Sequence, residues 1–207
     1  ITEENVIRNQ LIIDEGDPYN EILLSKSINN IKSLNIFKSV KQEIFNDDDG
    51  NKNLNITIEE KPTGEILAGA GYGTSGGSLT FSIKENNFLG RGIKLDNSIN
   101  VTEQSLKGGI SITNPNYKNT NNSLFVSANA EELDLMSTNG YKSNTISFNL
   151  GTNYEYLDDL YLGVQTKNTL ETLEVGSNAS SNQKKQAGDY FDSFLNFNFN
   201  YDKRNQK

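Results

Sequence analysis

The sequence predicts a small α+β module followed by the antiparallel strands of a transmembrane β-barrel. Three observations carry this. Apolar residues recur at helical spacing only within about the first 61 positions. From Pro62 onward a period of two replaces it. The two faces which that period defines are sharply unequal: one is apolar, the other is built from Asn, Ser, Thr and Gly. The composition fits: 34% hydrophobic residues is low for a chain with an ordinary buried core, while 17 glycines and only 3 prolines suit strands and turns. With no Cys and no His among 207 residues, Cys/His zinc sites, disulfide frameworks and His- or Cys-based nucleophile pairs are excluded. A net charge of −8 argues against a surface that binds nucleic acid. No run approaches the ~18 consecutive apolar residues of a membrane helix.

In the first module, Thr2 is a candidate cap for a short helix through Val6, Ile7 and Leu11, with Glu3 and Glu4 in its first turn. Asp14-Glu15-Gly16-Asp17-Pro18 breaks the chain. Asn20 then caps a second helix whose Leu24, Ile28 and Ile31 share one face. Two strands follow, Ile36–Phe45 and Asn53–Glu59, joined by the turn-forming string Asn46-Asp47-Asp48-Asp49-Gly50-Asn51. Leu54, Ile56 and Ile58 alternate with polar neighbours, so this small sheet buries one face.

Beyond Pro62 the alternation is repeated: Leu79, Phe81 and Ile83; Ile110 and Ile112; Leu124, Val126, Ala128 and Ala130; Ile146, Phe148 and Leu150; Leu160, Leu162 and Val164; and Phe191 through Tyr201. A soluble sheet packed on a second layer produces such a pattern, and so does a barrel with lipid outside and water inside. Strand length favours the barrel, since several runs reach the ~9–11 residues of a tilted membrane strand. So do the number of runs, about eight in residues 62–207, and the uncharged middle of the polar face.

Particular strings add a resemblance. Gly64-Glu65-Ile66-Leu67-Ala68-Gly69-Ala70-Gly71-Tyr72-Gly73-Thr74, then Gly76-Gly77, then Glu85-Asn86-Asn87-Phe88-Leu89-Gly90-Arg91-Gly92 closely resembles the first barrel hairpin of the Omp85 superfamily. Thr113-Asn114-Pro115-Asn116-Tyr117 and Tyr201-Asp202-Lys203-Arg204-Asn205 are similar to later strings of that family. Asn5-Val6-Ile7-Arg8, Glu15-Gly16-Asp17, Leu34-Asn35-Ile36-Phe37-Lys38-Ser39-Val40 and Ile58-Glu59-Glu60-Lys61-Pro62-Thr63 resemble its last POTRA domain and the junction to the barrel. The resemblance implies a POTRA domain at 1–61, lacking its first strand, and at 62–207 the first half, about eight strands, of a 16-stranded barrel. The chain is accordingly read as a fragment, and half a barrel with an open edge should not insert stably alone.

The resemblance further implies the central subunit of the machinery that folds and inserts outer-membrane β-barrel proteins, with the barrel in the outer membrane and the POTRA domain in the periplasm. Another transporter of the family, a TamA-like translocation assembly factor or a two-partner secretion transporter, is the alternative. On the first view Glu65, Ile66, Leu67, Ala68, Gly69, Ala70, Gly71, Tyr72 and Gly73 form one side of a lateral gate, whose backbone pairs with the terminal strand of an unfolded outer-membrane protein. Glycine weakens a strand interior, which suits an edge that opens, although a barrel bend would use glycine equally well. Arg8 and Glu15 match positions that contact a BamD-type lipoprotein, one of several assembly lipoproteins expected as partners beside lipid; simple solvated charge is the plainer account of both. No cofactor is implied, no nucleic-acid partner and no catalytic residue. The acidic string at Asp47 fails as a calcium loop, since its twelfth position is Ile58. Gly69-x-Gly71-x-Gly73 lacks the spacing and following helix of a dinucleotide site. Lys184-Lys185 is placed in a solvated Ser/Asn/Gln loop.

Overall fold

The computed structural model describes residues 1–47, 50–73, 76–157 and 159–203. Asp48 and Asp49 of the acidic turn, Thr74 of the glycine-rich string, and Arg204 and Asn205 of the last string lie outside them. The first unit contains α1 (Glu4–Arg8), α2 (Glu21–Ser33), β1 (Phe37–Asn46) and β2 (Lys52–Glu60), with β1 and β2 an antiparallel pair. The second contains β3 (Gly64–Gly73), β4 (Gly76–Phe88), β5 (Ile93–Thr102), β6 (Ser105–Asn114), β7 (Asn122–Leu135), β8 (Tyr141–Leu157), β9 (Leu160–Val175), the one-turn α3 (Ser181–Lys185) and β10 (Gly188–Tyr201).

α2 forms where its cap and stripe predict. The Asn20 side chain accepts from the backbone N–H groups of Ile22 (2.9 Å) and Leu23 (3.2 Å), satisfying donors that the first turn leaves unpaired. Leu24, Ile28 and Ile31 are buried with Val6, Ile36 and Phe37, and Leu54, Ile56 and Ile58 of β2 pack on them half-buried. Leu24 has almost no exposed surface, so Leu24→Ala should cost this unit about 2–5 kcal/mol, read as a lowered urea midpoint at unchanged slope. α1 differs from the expectation. Glu3 stands at its N-cap with no side-chain cap bond, and Leu11 lies beyond its end. Thr2 is engaged elsewhere, its hydroxyl accepting from Asn87 Nδ2 at 2.8 Å. The strands are shifted by a residue at their ends relative to expectation, and Lys184-Lys185 end a helical turn rather than lying in plain loop. There Ser180 and Gln183 cap each other reciprocally.

The eight strands form one meander in sequence order, β3 at one edge and β10 at the other. Register separates the faces. Ile66, Ala68 and Ala70 stand opposite Ile83, Phe81 and Leu79, and the same face carries Ile99, Ile110, Ala128, Phe148 and Phe197 across the sheet. These side chains have no covering layer: Leu79 is 62% exposed and Phe199 77%. The opposite face is polar. Asn149 donates to Ser127 Oγ (2.9 Å), and Lys107 pairs with Glu131 (2.6 Å). Phe125 also lies on this face, over Gly151, where a Cβ would come within 2.4 Å of its ring. An apolar face of this extent on an uncovered sheet needs an apolar medium or partner. Among the described residues no helix is long and apolar enough to cross a membrane, which leaves strands unaddressed.

Candidate functional site

Among the described residues β3 pairs with β4 alone, and all ten of its residues are exposed. Its hydrogen-bonding parity follows from two observations. Thr63 lies opposite Asn86 in the β3–β4 register, and the Asn86 N–H donates to the Thr63 carbonyl (3.3 Å). At the other end Gly73 faces Gly76 across a two-residue connection. Both N–H and C=O of a residue in an antiparallel strand point to the same side, and successive residues alternate. Glu65, Leu67, Gly69, Gly71 and Gly73 therefore turn their backbone groups to β4. Ile66, Ala68, Ala70 and Tyr72 turn theirs to the free edge. The nine residues expected to act as one strand thus divide into a set that holds the hairpin and a set that presents donors and acceptors.

Side chains reinforce that division. The four edge-directed residues project onto the apolar face, two of them as mere methyl groups. On the polar face Gly69 and Gly73 have no neighbour within 4 Å of a hypothetical Cβ, so nothing crowds them into being glycine, while at Gly71 the Ser78 hydroxyl would lie at 3.0 Å. The strand accordingly has few side-chain contacts with β4 and depends on its ladder.

Arg8 and Glu15 are brought together. Arg8 Nη1 lies 3.1 Å from Glu15 Oε1, and Arg8 Nε 2.6 Å from Glu4 Oε1. Glu4, one helical turn before Arg8, is the member that motif matching missed; the i, i+4 spacing was its signal. Glu4 first and Glu15 second raise the already high pKa of the guanidinium, so its charge is fixed. All three side chains are exposed, and the cluster remains accessible to a partner.

α1 is tied to the barrel sheet through the β4–β5 turn. Glu3 N–H donates to the Gly90 carbonyl (2.8 Å), Arg91 pairs with Glu3 (3.4 Å), and Asn87, besides meeting Thr2, accepts from Gly92 N–H (2.7 Å). Gly90 (φ +74°) and Gly92 (φ +64°) are left-handed, and a Cβ on Gly90 would lie 2.1 Å from the Ile1 carbonyl. The β6–β7 turn adds longer amide contacts, Asn5 to Asn119 (3.2 Å) and Gln10 to Asn116 (3.4 Å). The resemblance flagged Asn87, Gly90 and Gly92 only as parts of a string; their role as a socket needs the fold.

Comparison with known proteins agrees with this architecture. The profile of the Omp85 superfamily domain matches residues 87–207, and that of the surface antigen variable number repeat, POTRA, matches residues 1–61. The outer membrane protein assembly factor BamA of Neorickettsia risticii is 33% identical over 95 residues, which are 45% of this chain and 13% of that protein. The structure of Haemophilus ducreyi BamA lacking POTRA domains 1–3 aligns over 100% of this chain and 43% of its own length, with TM-score 0.75 and 20% identity. CdiB from Acinetobacter baumannii aligns over 95% of this chain and 37% of its own, with TM-score 0.51 and 15% identity. The chain thus spans well under half the length of these relatives, and the structural likenesses, all below 25% identity, speak to fold. The POTRA match over residues 1–61 and the Omp85 match over residues 87–207, more than half of the chain, show that the chain belongs to the Omp85 superfamily.

Proposed function

We propose that this chain is the last POTRA domain and first barrel half of a BamA-type assembly factor, and that the β3 edge pairs with the terminal strand of an incoming outer-membrane protein. What supports this most is the edge itself: Ile66, Ala68, Ala70 and Tyr72 present unpaired backbone groups beside an uncovered apolar face. In hydrocarbon an unsatisfied backbone donor or acceptor costs several kcal/mol, so a strand offered there is held by its ladder alone. The pairing is β-augmentation, with no bond made or broken. Small side chains at Ala68 and Ala70 admit different incoming sequences. The barrel sits in the outer membrane and the POTRA unit in the periplasm. A transporter of the same family is the second reading, supported by the CdiB likeness; depletion of the full-length protein separates the two, since loss of many outer-membrane proteins together favours assembly and loss of one secreted protein favours transport.

The membrane placement has its own test. Spin labels in the full-length protein should report lipid contact at Phe197 and Phe199 and water at Asn198, because register places them on opposite faces. Equal lipid exposure at Phe197 and Asn198 would remove that strand from the barrel wall.

The Arg8–Glu15 cluster is proposed as the contact for a BamD-type lipoprotein. Charge reversal at Glu15 or Arg8 should weaken that binding by roughly two- to fivefold, the range of exposed pairs. Because the two charges pair with each other, a double exchange (Arg8→Glu with Glu15→Lys) keeps their mutual attraction while inverting its polarity. Binding should stay weak in the double variant if the partner reads the polarity. Recovery to the original affinity would make the pair an internal brace.

A further inference from the structure

Two carboxylates outside the edge hold the β3–β4 hairpin near its two ends, Glu85 at the start of β3 and Glu103 on the first residues of β4. At the POTRA-side end, Glu85 of β4 accepts from the Thr63 hydroxyl and from Asn87 N–H (2.7 Å), while Thr63 O accepts from Asn86 N–H (3.3 Å) and Asn86 Nδ2 (3.4 Å). A Cβ on Gly64 would lie 3.1 Å from Glu85 Oε2, so glycine gives the carboxylate its room. At the far end, Glu103 in the β5–β6 connection reaches over the neighbouring hairpin and accepts from Gly77 N–H (3.2 Å). Gly76 there is left-handed (φ +89°), and a Cβ on it would come within 2.3 Å of the Glu103 carboxyl carbon. Any other residue at Gly76 would displace the acid. Between these two points the polar face adds little to the ladder, since Gly69 and Gly73 meet no described neighbour there.

We infer that Glu85 is a positioning residue that pins β3 to β4 in one register, so that a presented strand is taken up at the free edge without unzipping the hairpin, while Glu103 steadies the β4 side of the turn. The physical requirement is a difference between two ladders made of the same bonds. The β3–β4 ladder has to outlast the contact on the other side of β3, and a glycine-rich strand has little side-chain packing beyond the Ile66–Ile83, Ala68–Phe81 and Ala70–Leu79 pairs with which to secure that difference. An end anchor supplies it: a hairpin frays from its open end, the other end being closed by the chain, and Glu85 holds the open end. Neither acid touches the incoming strand. The effect of Glu85 on assembly runs through the register of Ile66, Ala68, Ala70 and Tyr72. The inference rests on the strand-pairing reading above.

The test uses the full-length protein in lipid nanodiscs, with alanine and glutamine at each position. Hydrogen exchange without substrate should speed up about two- to tenfold near Gly76–Gly77 in Glu103→Ala and around residues 63–67 in Glu85→Ala. Glutamine, whose amide oxygen still accepts, should restore most of the protection at either site. Cysteine crosslinks from β3 to a stalled substrate strand should lose their two-residue repeat in Glu85→Ala and keep it in Glu85→Gln. Unchanged exchange around residues 63–67 in Glu85→Ala, or Glu85→Gln as damaging as alanine, would overturn the assignment. If exchange responds as described while even the unsubstituted protein gives no periodic crosslinks, strand pairing falls and the two acids remain anchors of the hairpin.

Discussion

Proline at Ala68 or at Ala70 will abolish assembly activity in the full-length protein, while serine at either position will leave it close to normal. Both residues direct their N–H to the free edge, two positions apart on the same side of the strand, so the two prolines should act alike. Each deletes one donor that an incoming strand needs and places a ring in its path. In a medium without water the orphaned acceptor opposite costs several kcal/mol, enough for at least a hundredfold loss of productive pairing. Proline at Gly69 supplies the contrast. It removes a donor to β4 and should break the hairpin, lowering the amount of folded protein. Measured together, yield and activity separate the two sets: normal yield with lost activity for Ala68→Pro and Ala70→Pro, lost yield for Gly69→Pro. Normal activity in the two alanine-site prolines would mean that nothing pairs with this edge.

Gly90→Val should detach the POTRA unit from the barrel. The position is left-handed, which alone costs a branched residue about 1–2 kcal/mol, and its Cβ would collide with the Ile1 carbonyl. The collision is with backbone, so no rotamer relieves it. Residues 1–3 have to leave the turn, taking with them the Glu3–Gly90 hydrogen bond and the Thr2–Asn87 contact. Cysteines at Thr2 and Asn87 report this, since this chain has none of its own. Their crosslinking under mild oxidant should be near complete with Gly90 and fall at least tenfold with valine. Equal yields would show that the turn does not seat the first residues.

Much of this architecture was legible in the chain. Asn20 and the Leu24, Ile28, Ile31 stripe determine α2 because cap and packing agree. The barrel strands were legible because a half-immersed wall imposes strict alternation, as Phe191 through Tyr201 shows. What stayed hidden depends on pairing. Whether Ala68 faces β4 or the free edge is set by register with a second strand, and no property of Ala68 encodes it. Glu103 is an ordinary turn residue until β5–β6 is placed beside Gly76. The Arg8 cluster was half visible: Arg8 and Glu15 were singled out but their direct pairing, across the break after α1, needed the fold, and Glu4 needed only a count of four. At α3 the cap was in plain view: Ser180 and Gln183 stand at capping-box spacing, but the polar composition around Lys184 and Lys185 outweighed it.

The central claim is that β3 pairs edge to edge with a substrate strand, and one profile tests it most directly. Single cysteines along residues 65–73 of the full-length protein are crosslinked to cysteines in the terminal strand of a stalled outer-membrane substrate, and yield is plotted against position. Edge pairing predicts maxima that recur every two residues and shift in step when the substrate cysteine is moved by two. A flat profile, or crosslinks confined to the loops on the polar side of the sheet, would contradict it and leave the glycines of β3 with no role beyond the shape of the barrel.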